Sequence, residues 1–163
     1  MRVLFELIPE EENILTETTL PAAFESLRAL PVEPSSLEGQ LVFEGASNGT
    51  TLTLRDLIGP MIADVCLRSI ADLSAGREFT VKWKSAPATL RLVPEGDQIA
   101  FLSEDEPEFR FPRAELLPAL VDCATRYSAF LRAFYGDLPD MQEDLNGYDE
   151  FLRTTRALVP ASA

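Results

Sequence analysis

The chain has 163 residues, of which 27 are Asp or Glu and 14 are Lys or Arg, and it contains no histidine. The absence of histidine excludes the Ser-His-Asp and Cys-His nucleophile systems, the two-His zinc helix and imidazole acid–base catalysis. A formal net charge of −13 disfavours phosphate backbones and anionic membrane surfaces as ligands. The composition therefore favours a binding protein with a basic partner over an enzyme.

The length and the composition predict one globular domain over residues 1–163. Hydrophobic residues make up 46% and charged residues 25%, which are ordinary values for a single core of this size. No stretch approaches the ~20 apolar residues of a membrane span, and the N-terminus lacks the apolar length and cleavage site of a signal peptide. We therefore expect a cytoplasmic protein without membrane contact.

The first third of the chain predicts three strands and a covering segment. Residues 1–8 indicate a first strand, and residues 9–36 are expected to be loop-rich, with one short helix that Pro21 can start. Two apolar runs, residues 41–43 and 51–54, flank the turn-forming pair Asn48-Gly49. These runs predict a hairpin.

A core-facing helix follows over about residues 56–73, where apolar side chains recur at steps of three and four residues. Asp56 is the expected N-cap, because Pro60 then falls in the first turn, where the backbone N–H groups have no partner within the helix. Gly76 predicts the end of this helix.

Residues 78–111 carry the clearest strand pattern of the chain. Phe79, Val81 and Trp83 alternate with polar residues, and so do Leu90 and Leu92 after a turn-rich joint. The apolar runs 99–102 and 109–111 supply two more strands. This pattern predicts a four-stranded antiparallel meander with one buried face. Trp83 is expected on that face, as part of the core.

The last part of the chain predicts two helices. Pro112 begins a long helix whose apolar stripe should lie across the meander, and Gly136 ends it. A second helix is expected over about residues 139–158, weakened or split at Asn146-Gly147. Residues 159–163 are expected to be a frayed tail.

The predicted fold class is therefore α+β, with an antiparallel meander of about four to six strands packed on one face by two or three amphipathic helices. The core should include side chains from both the sheet and the helices. Its expected members are Phe79, Val81, Trp83, Leu90, Leu92, Ile99, Phe101, Leu117, Val121, Phe130 and Phe134. Cys66 and Cys123 lie in helical apolar patterns and are expected to be reduced core thiols.

Two acidic segments without a basic residue, 95–109 and 137–150, are candidate partner-binding sites. A solvated face is the ordinary interpretation of such segments. However, crowded like charges cost folding free energy, and a cationic partner relieves that cost. Two tyrosines bordering the second segment can supply apolar area and a hydrogen bond. The candidate residues are Tyr135, Asp137, Asp140, Glu143, Asp144, Tyr148, Glu104, Asp105, Glu106 and Glu108.

Other binding roles stay open at this point. A nucleic-acid mimic would space its carboxylates like phosphates, and a secretion chaperone would expose an apolar groove. A carboxylate-dependent metal enzyme is a third class, although residues 103–108 lack the ligand pattern of an EF-hand loop. The sequence assigns no catalytic, cofactor-binding or metal-binding residue, and no cofactor is expected.

The predicted order of secondary-structure elements over about half the chain is also similar to that of a known class of proteins. An amphipathic helix over residues 57–73 leads into strand-like runs at 77–83, 88–92 and 99–102, a turn at 94–97, and the segment 111–117. This layout resembles that of the small acidic immunity proteins that accompany polymorphic bacterial toxins. The resemblance implies a non-enzymatic cytoplasmic inhibitor that covers the basic active site of a cognate toxin domain. Such families share no catalytic residues, so it assigns no site residue.

Overall fold

Two four-stranded antiparallel sheets and a set of helices make up the computed structural model, which describes residues 1–46, 49, 51–104 and 107–159. The strands are β1 Arg2–Glu10, β2 Asn13–Thr16, β3 Glu38–Glu44, β4 Leu52–Leu57, β5 Phe79–Lys82, β6 Thr89–Glu95, β7 Gln98–Leu102 and β8 Phe109–Pro112. The α-helices are α1 Phe24–Arg28, α2 Ile58–Met61, α3 Ser69–Ser74, α4 Arg113–Tyr135 and α5 Pro139–Arg156. The predicted α+β class is confirmed.

Three further helical segments, which are not α-helical, occur in the described part of the chain. Leu20–Ala23 and Pro34–Ser36 are 3₁₀ turns in the segment predicted to be loop-rich. Ile62–Arg68 is a π-helical stretch that joins α2 to α3. Residues 58–74 therefore form one continuous helix, called the central helix below. No helix among the described residues has the length and apolar character needed to cross a bilayer.

The first sheet has the strand order β2-β1-β3-β4. Alternation along β1 places Val3, Phe5 and Leu7 on its buried face, as expected for an antiparallel strand with one face on the core. The first strand and the hairpin were predicted, but they form a sheet separate from the meander, and β2 lies in the segment predicted to be loop-rich. Asn48, in the predicted turn, lies outside the described residues.

The second sheet has the order β5-β6-β7-β8 and confirms the predicted meander. Phe43 of β3 joins it to the first sheet, because its ring lies 5.2 Å from that of Phe101 and 5.6 Å from that of Phe111. The buried apolar residues consequently form one continuous cluster. The predicted core residues all belong to it, except Phe79 and Trp83, which are half-buried and pack against its edge.

The prediction of Asp56 as the N-cap of the central helix is wrong. Asp56 lies inside strand β4, and the helix begins at Ile58 after the extended residue Leu57. The Asp56 side chain is 2% exposed and accepts hydrogen bonds from the backbone N–H groups of Lys84 at 2.6 Å and Ser85 at 2.9 Å. Its carboxylate therefore fixes the connection between β5 and β6 instead of capping the helix.

The predicted ends of the helices are correct. Gly76 has a φ of +74° and its N–H donates to the Leu73 carbonyl, which ends the central helix, and Gly136 with a φ of +57° ends α4. Helix α5 is continuous through Asn146 and Gly147, so it is not split. Packing of a buried stripe, Leu145, Leu152 and Thr155, outweighs the poor helix propensity of glycine. Residues 160–163 of the predicted tail lie outside the described residues.

Cys66 and Cys123 are unbonded and buried, as predicted. Burial raises the pKa of the Cys66 thiol well above its ordinary value, and a hydrogen bond with Cys123 adds to the rise. We expect neither thiol of the native protein to react with Ellman's reagent on a time scale of minutes, and both to react after unfolding in guanidinium. Rapid reaction of one thiol per chain in the native protein would contradict this burial.

Candidate partner-binding site

The connection between α4 and α5 forms an ordered corner at one end of the helical layer. The N–H of Gly136 donates to the Arg132 carbonyl at 2.8 Å, and the N–H of Leu138 donates to the Tyr135 carbonyl at 3.3 Å. The Gln142 side chain donates back to the Gly136 carbonyl at 3.0 Å. Hydrogen bonds on both sides of the turn therefore hold the start of α5 in a defined position.

Four predicted site residues cluster at this corner: Asp137, Asp140, Glu143 and Asp144. We call them the acidic corner. All four side chains are exposed, and none forms a salt bridge within the part of the chain that the structure describes. They carry a local negative charge that the chain itself leaves uncompensated.

The second half of the same acidic segment differs. Asp149 accepts hydrogen bonds from Ser128 at 2.5 Å and from Nε of Arg132 at 2.7 Å, and Glu150 pairs with Arg153. These acids hold α5 against α4 or stabilise the helix surface. The segment 137–150 thus divides into an unpaired first half and a paired second half.

Tyr135 lies beside the acidic corner and is half-buried. Its hydroxyl donates to a Glu33 carboxylate oxygen at 3.4 Å, and its ring meets the edge of Phe134 at a centroid distance of 5.1 Å. Burial, followed by the nearby Glu33 carboxylate, raises the pKa of Tyr135 to about 12. The hydroxyl is therefore protonated at neutral pH and remains a hydrogen-bond donor.

Tyr148 faces the interior. Its hydroxyl is buried without a hydrogen-bond partner in the described residues, and its ring lies 6.2 Å from that of Tyr127. Burial raises the pKa of Tyr148 above its ordinary value. The structure therefore places Tyr148 with the buried stripe of α5, and its hydroxyl is not presented at the acidic corner.

The first acidic segment is partly neutralised. Arg110 on β8 pairs with Glu95 at 3.1 Å and with Glu108 at 2.5 Å. Glu104 is exposed, whereas the candidate residues Asp105 and Glu106 lie outside the described residues. Both predicted segments therefore contain exposed carboxylates without a salt bridge among the described residues, Asp97 and Glu104 in the first and four in the acidic corner.

Sequence reasoning missed the apolar part of this surface. Phe151 and Leu158 are 40% and 47% exposed, and Leu138 at the corner itself is 55% exposed. A helical projection would have found the first two, because they lie seven residues apart and off the buried stripe of α5. Leu138 thus lies among the carboxylates of the acidic corner, whereas Phe151 and Leu158 lie farther along α5 and beyond its end.

A buried polar cluster under the π-helical stretch is the other unusual feature. The hydroxyls of Tyr127 and Tyr148 have no hydrogen-bond partner among the described residues, and that of Tyr148 lies near the thiols of Cys66 and Cys123. Burial raises the pKa of both phenols and of Cys66, so these groups are neutral at physiological pH and do not supply an activated nucleophile. Within the described ranges, no three Cys, Asp or Glu side chains converge as metal ligands.

Comparison with known proteins adds no relative. No protein-family model matches the chain, and neither the curated proteins nor the solved structures contain a match. The geometry and charge of the chain are therefore the basis for inferring its function.

Proposed function

We propose that this chain is a non-enzymatic inhibitor of the immunity-protein class, which binds a cognate bacterial toxin domain in the cytoplasm and covers a basic active site. The acidic corner is the observation that supports the proposal. Its four carboxylates are exposed and unpaired around the start of α5, where no basic side chain of the described residues offsets their mutual repulsion and a cationic surface would relieve it.

The carboxylates of the acidic corner and the exposed apolar side chains of this region have different roles in this proposal. The carboxylates steer the basic partner toward the surface, and that attraction weakens with ionic strength. Exposed Leu138 and Phe151 supply apolar area, from which most of the affinity of a protein interface arises. A net charge of −13 also repels nucleic acid, which supports a protein and not a nucleic acid as the ligand of this chain.

Charge reversal at the corner should slow association. We expect Asp140→Lys combined with Asp144→Lys to reduce the association rate with the toxin domain by about tenfold at low salt and to flatten its salt dependence. The matched control is Glu10→Lys with Glu12→Lys, which changes the net charge equally at exposed positions in and after β1. Stopped-flow association at two ionic strengths measures both variants. Equal association rates for the corner variant and the control variant would show that the acidic corner is not the binding site.

Growth rescue tests the functional class itself. A toxin domain encoded beside this chain is expressed in a sensitive host with the wild-type chain, with the corner variant or with the control. Wild type and control should restore growth, and the corner variant should restore it less. Failure of the wild-type chain to protect against its neighbouring toxin would contradict the proposal.

A further inference from the structure

One side of α5 presents a line of residues that the fold leaves uncovered. Asp140, Asp144, Gly147 and Phe151 follow one another at steps of four, three and four residues, which places them along a single side of α5, and Leu158 lies in the turn just after the helix ends at Arg156. All five are exposed. We call this line the α5 stripe.

The neighbouring side of the same helix forms hydrogen bonds to α4. Arg132 donates to Asn146 at 3.0 Å and to Asp149, and Arg156 donates to the Thr125 hydroxyl at 2.7 Å. The side chains of the α5 stripe make no comparable contact within the described residues. The helix is thus fixed in place by one side while another side is left free.

Gly147 lies in the middle of the α5 stripe, and the fold gives no reason for a glycine there. Its backbone is helical, and a Cβ placed on it would meet no atom within 4 Å. Glycine inside a helix lowers the stability of that helix, and no internal packing at this position requires it. Its physical effect is to leave the helix backbone bare, so that another chain can approach closely.

The composition of the stripe changes along its length. Its first half carries two carboxylates, and its second half carries Phe151 and Leu158, both substantially exposed. Charge complementarity requires a basic occupant for the first half, and the apolar side chains require an apolar group for the second.

We infer that the α5 stripe docks one basic segment of a protein partner. Lys or Arg side chains of that segment lie against Asp140 and Asp144, its backbone passes close to Gly147, and an apolar side chain packs on Phe151 and Leu158. The inference deepens the proposed function, since it takes from that function only the basic character of the partner, and it can fail while that function stands.

A pair of peptides tests the docking mode. One is an amphipathic Lys/Leu peptide of about 14 residues, four turns of helix, and the other is oligolysine of the same length. Titration calorimetry should show that wild type binds the Lys/Leu peptide about tenfold more tightly. Phe151→Ser with Leu158→Ser should remove that difference and leave oligolysine binding unchanged. Equal affinity of wild type for the two peptides would overturn the inference.

Gly147→Ala provides a second test, in which stability and binding change in opposite directions. The alanine should raise the midpoint of thermal unfolding, because it favours the helix, and should weaken binding of the Lys/Leu peptide by about fivefold or more. Asn146→Ala is the matched control on the side of α5 that forms hydrogen bonds to α4 and should leave peptide binding unchanged. Unaltered binding by Gly147→Ala would overturn the close approach at this position.

The growth assay separates this inference from the proposed function. If the Phe151→Ser, Leu158→Ser variant protects as well as wild type while the acidic-corner variant does not, the docking mode is wrong and the inhibitory function stands. If both variants lose protection and remain folded by circular dichroism, the α5 stripe and the corner act on the same partner.

Discussion

Phe101→Ala is expected to lower the free energy of unfolding by about 3 to 5 kcal/mol. Phe101 is 2% exposed, and its ring lies 5.2 Å from Phe43 of the first sheet and 5.1 Å from Phe111 of its own sheet. Truncation removes buried apolar area and leaves a cavity where the two sheets meet. The surrounding rings are large and rigid, so the site collapses poorly around the missing side chain.

Denaturant unfolding measures this loss. Thr80→Ala, on the exposed face of the same sheet, is the control and should cost less than about 1 kcal/mol. A loss below about 1 kcal/mol for Phe101→Ala would show that the two sheets do not share this contact. Because one apolar cluster spans both sheets, we also expect a single transition for wild type, as for one cooperative domain.

Asp56→Asn is expected to cost about 1.5 to 3 kcal/mol near neutral pH, the usual contribution of hydrogen bonds to a charged group. The carboxylate accepts two backbone N–H groups from the connection between β5 and β6. The amide keeps the shape of the side chain but has one acceptor oxygen and no charge. One of the two backbone groups, Lys84 or Ser85, therefore loses its partner.

The pH dependence of that loss identifies its cause. Burial acts to raise the pKa of Asp56, but hydrogen bonds from the Lys84 backbone, from the Ser85 side chain and from the backbone of Leu57 and Ser85 outweigh burial, so the pKa lies below its ordinary value. A carboxyl group with a lowered pKa stabilises the fold above its unfolded pKa, and that stabilisation is lost as the pH falls through the folded pKa. The difference between wild type and Asp56→Asn should therefore be constant above about pH 5 and shrink below about pH 4.

Chemical unfolding of both proteins between neutral pH and the most acidic pH at which they still fold measures this difference. Other carboxylates titrate in the same range, but they are common to both proteins and cancel in the comparison. A difference that stays constant throughout the acid range would mean that the cost of Asp56→Asn does not come from the lost negative charge.

The elements that could be predicted from the sequence are those set by local periodicity. The meander and α4 each repeat one pattern over many residues, and both were found where expected. The first sheet was not predicted as a separate sheet, because the pairing of β1 with β3 joins residues far apart in the chain. Strand β2 has polar residues at both ends and no clear alternation, and it is a strand because it pairs with β1.

The candidate site was likewise predictable only in part from the sequence. Acidic residues can be read directly from the sequence, but only the structure separates the unpaired Asp140 and Asp144 from Asp149, which α4 neutralises. Tyr148 was predicted to bind a partner, but its ring packs against the core together with the buried residues of α5, since burying the ring removes apolar area from water.

Short edge strands limit how another chain can attach to this protein. Strands β2, β5 and β8 are each four residues long, β5 carries Lys82, and β8 ends in Pro112, which has no N–H to donate. A foreign strand added at any of these edges would find few main-chain groups to pair with. Of the four sheet edges in the described part of the chain, three are thus guarded against addition of a foreign strand, and the six-residue strand β4 is the one long enough to pair with another chain.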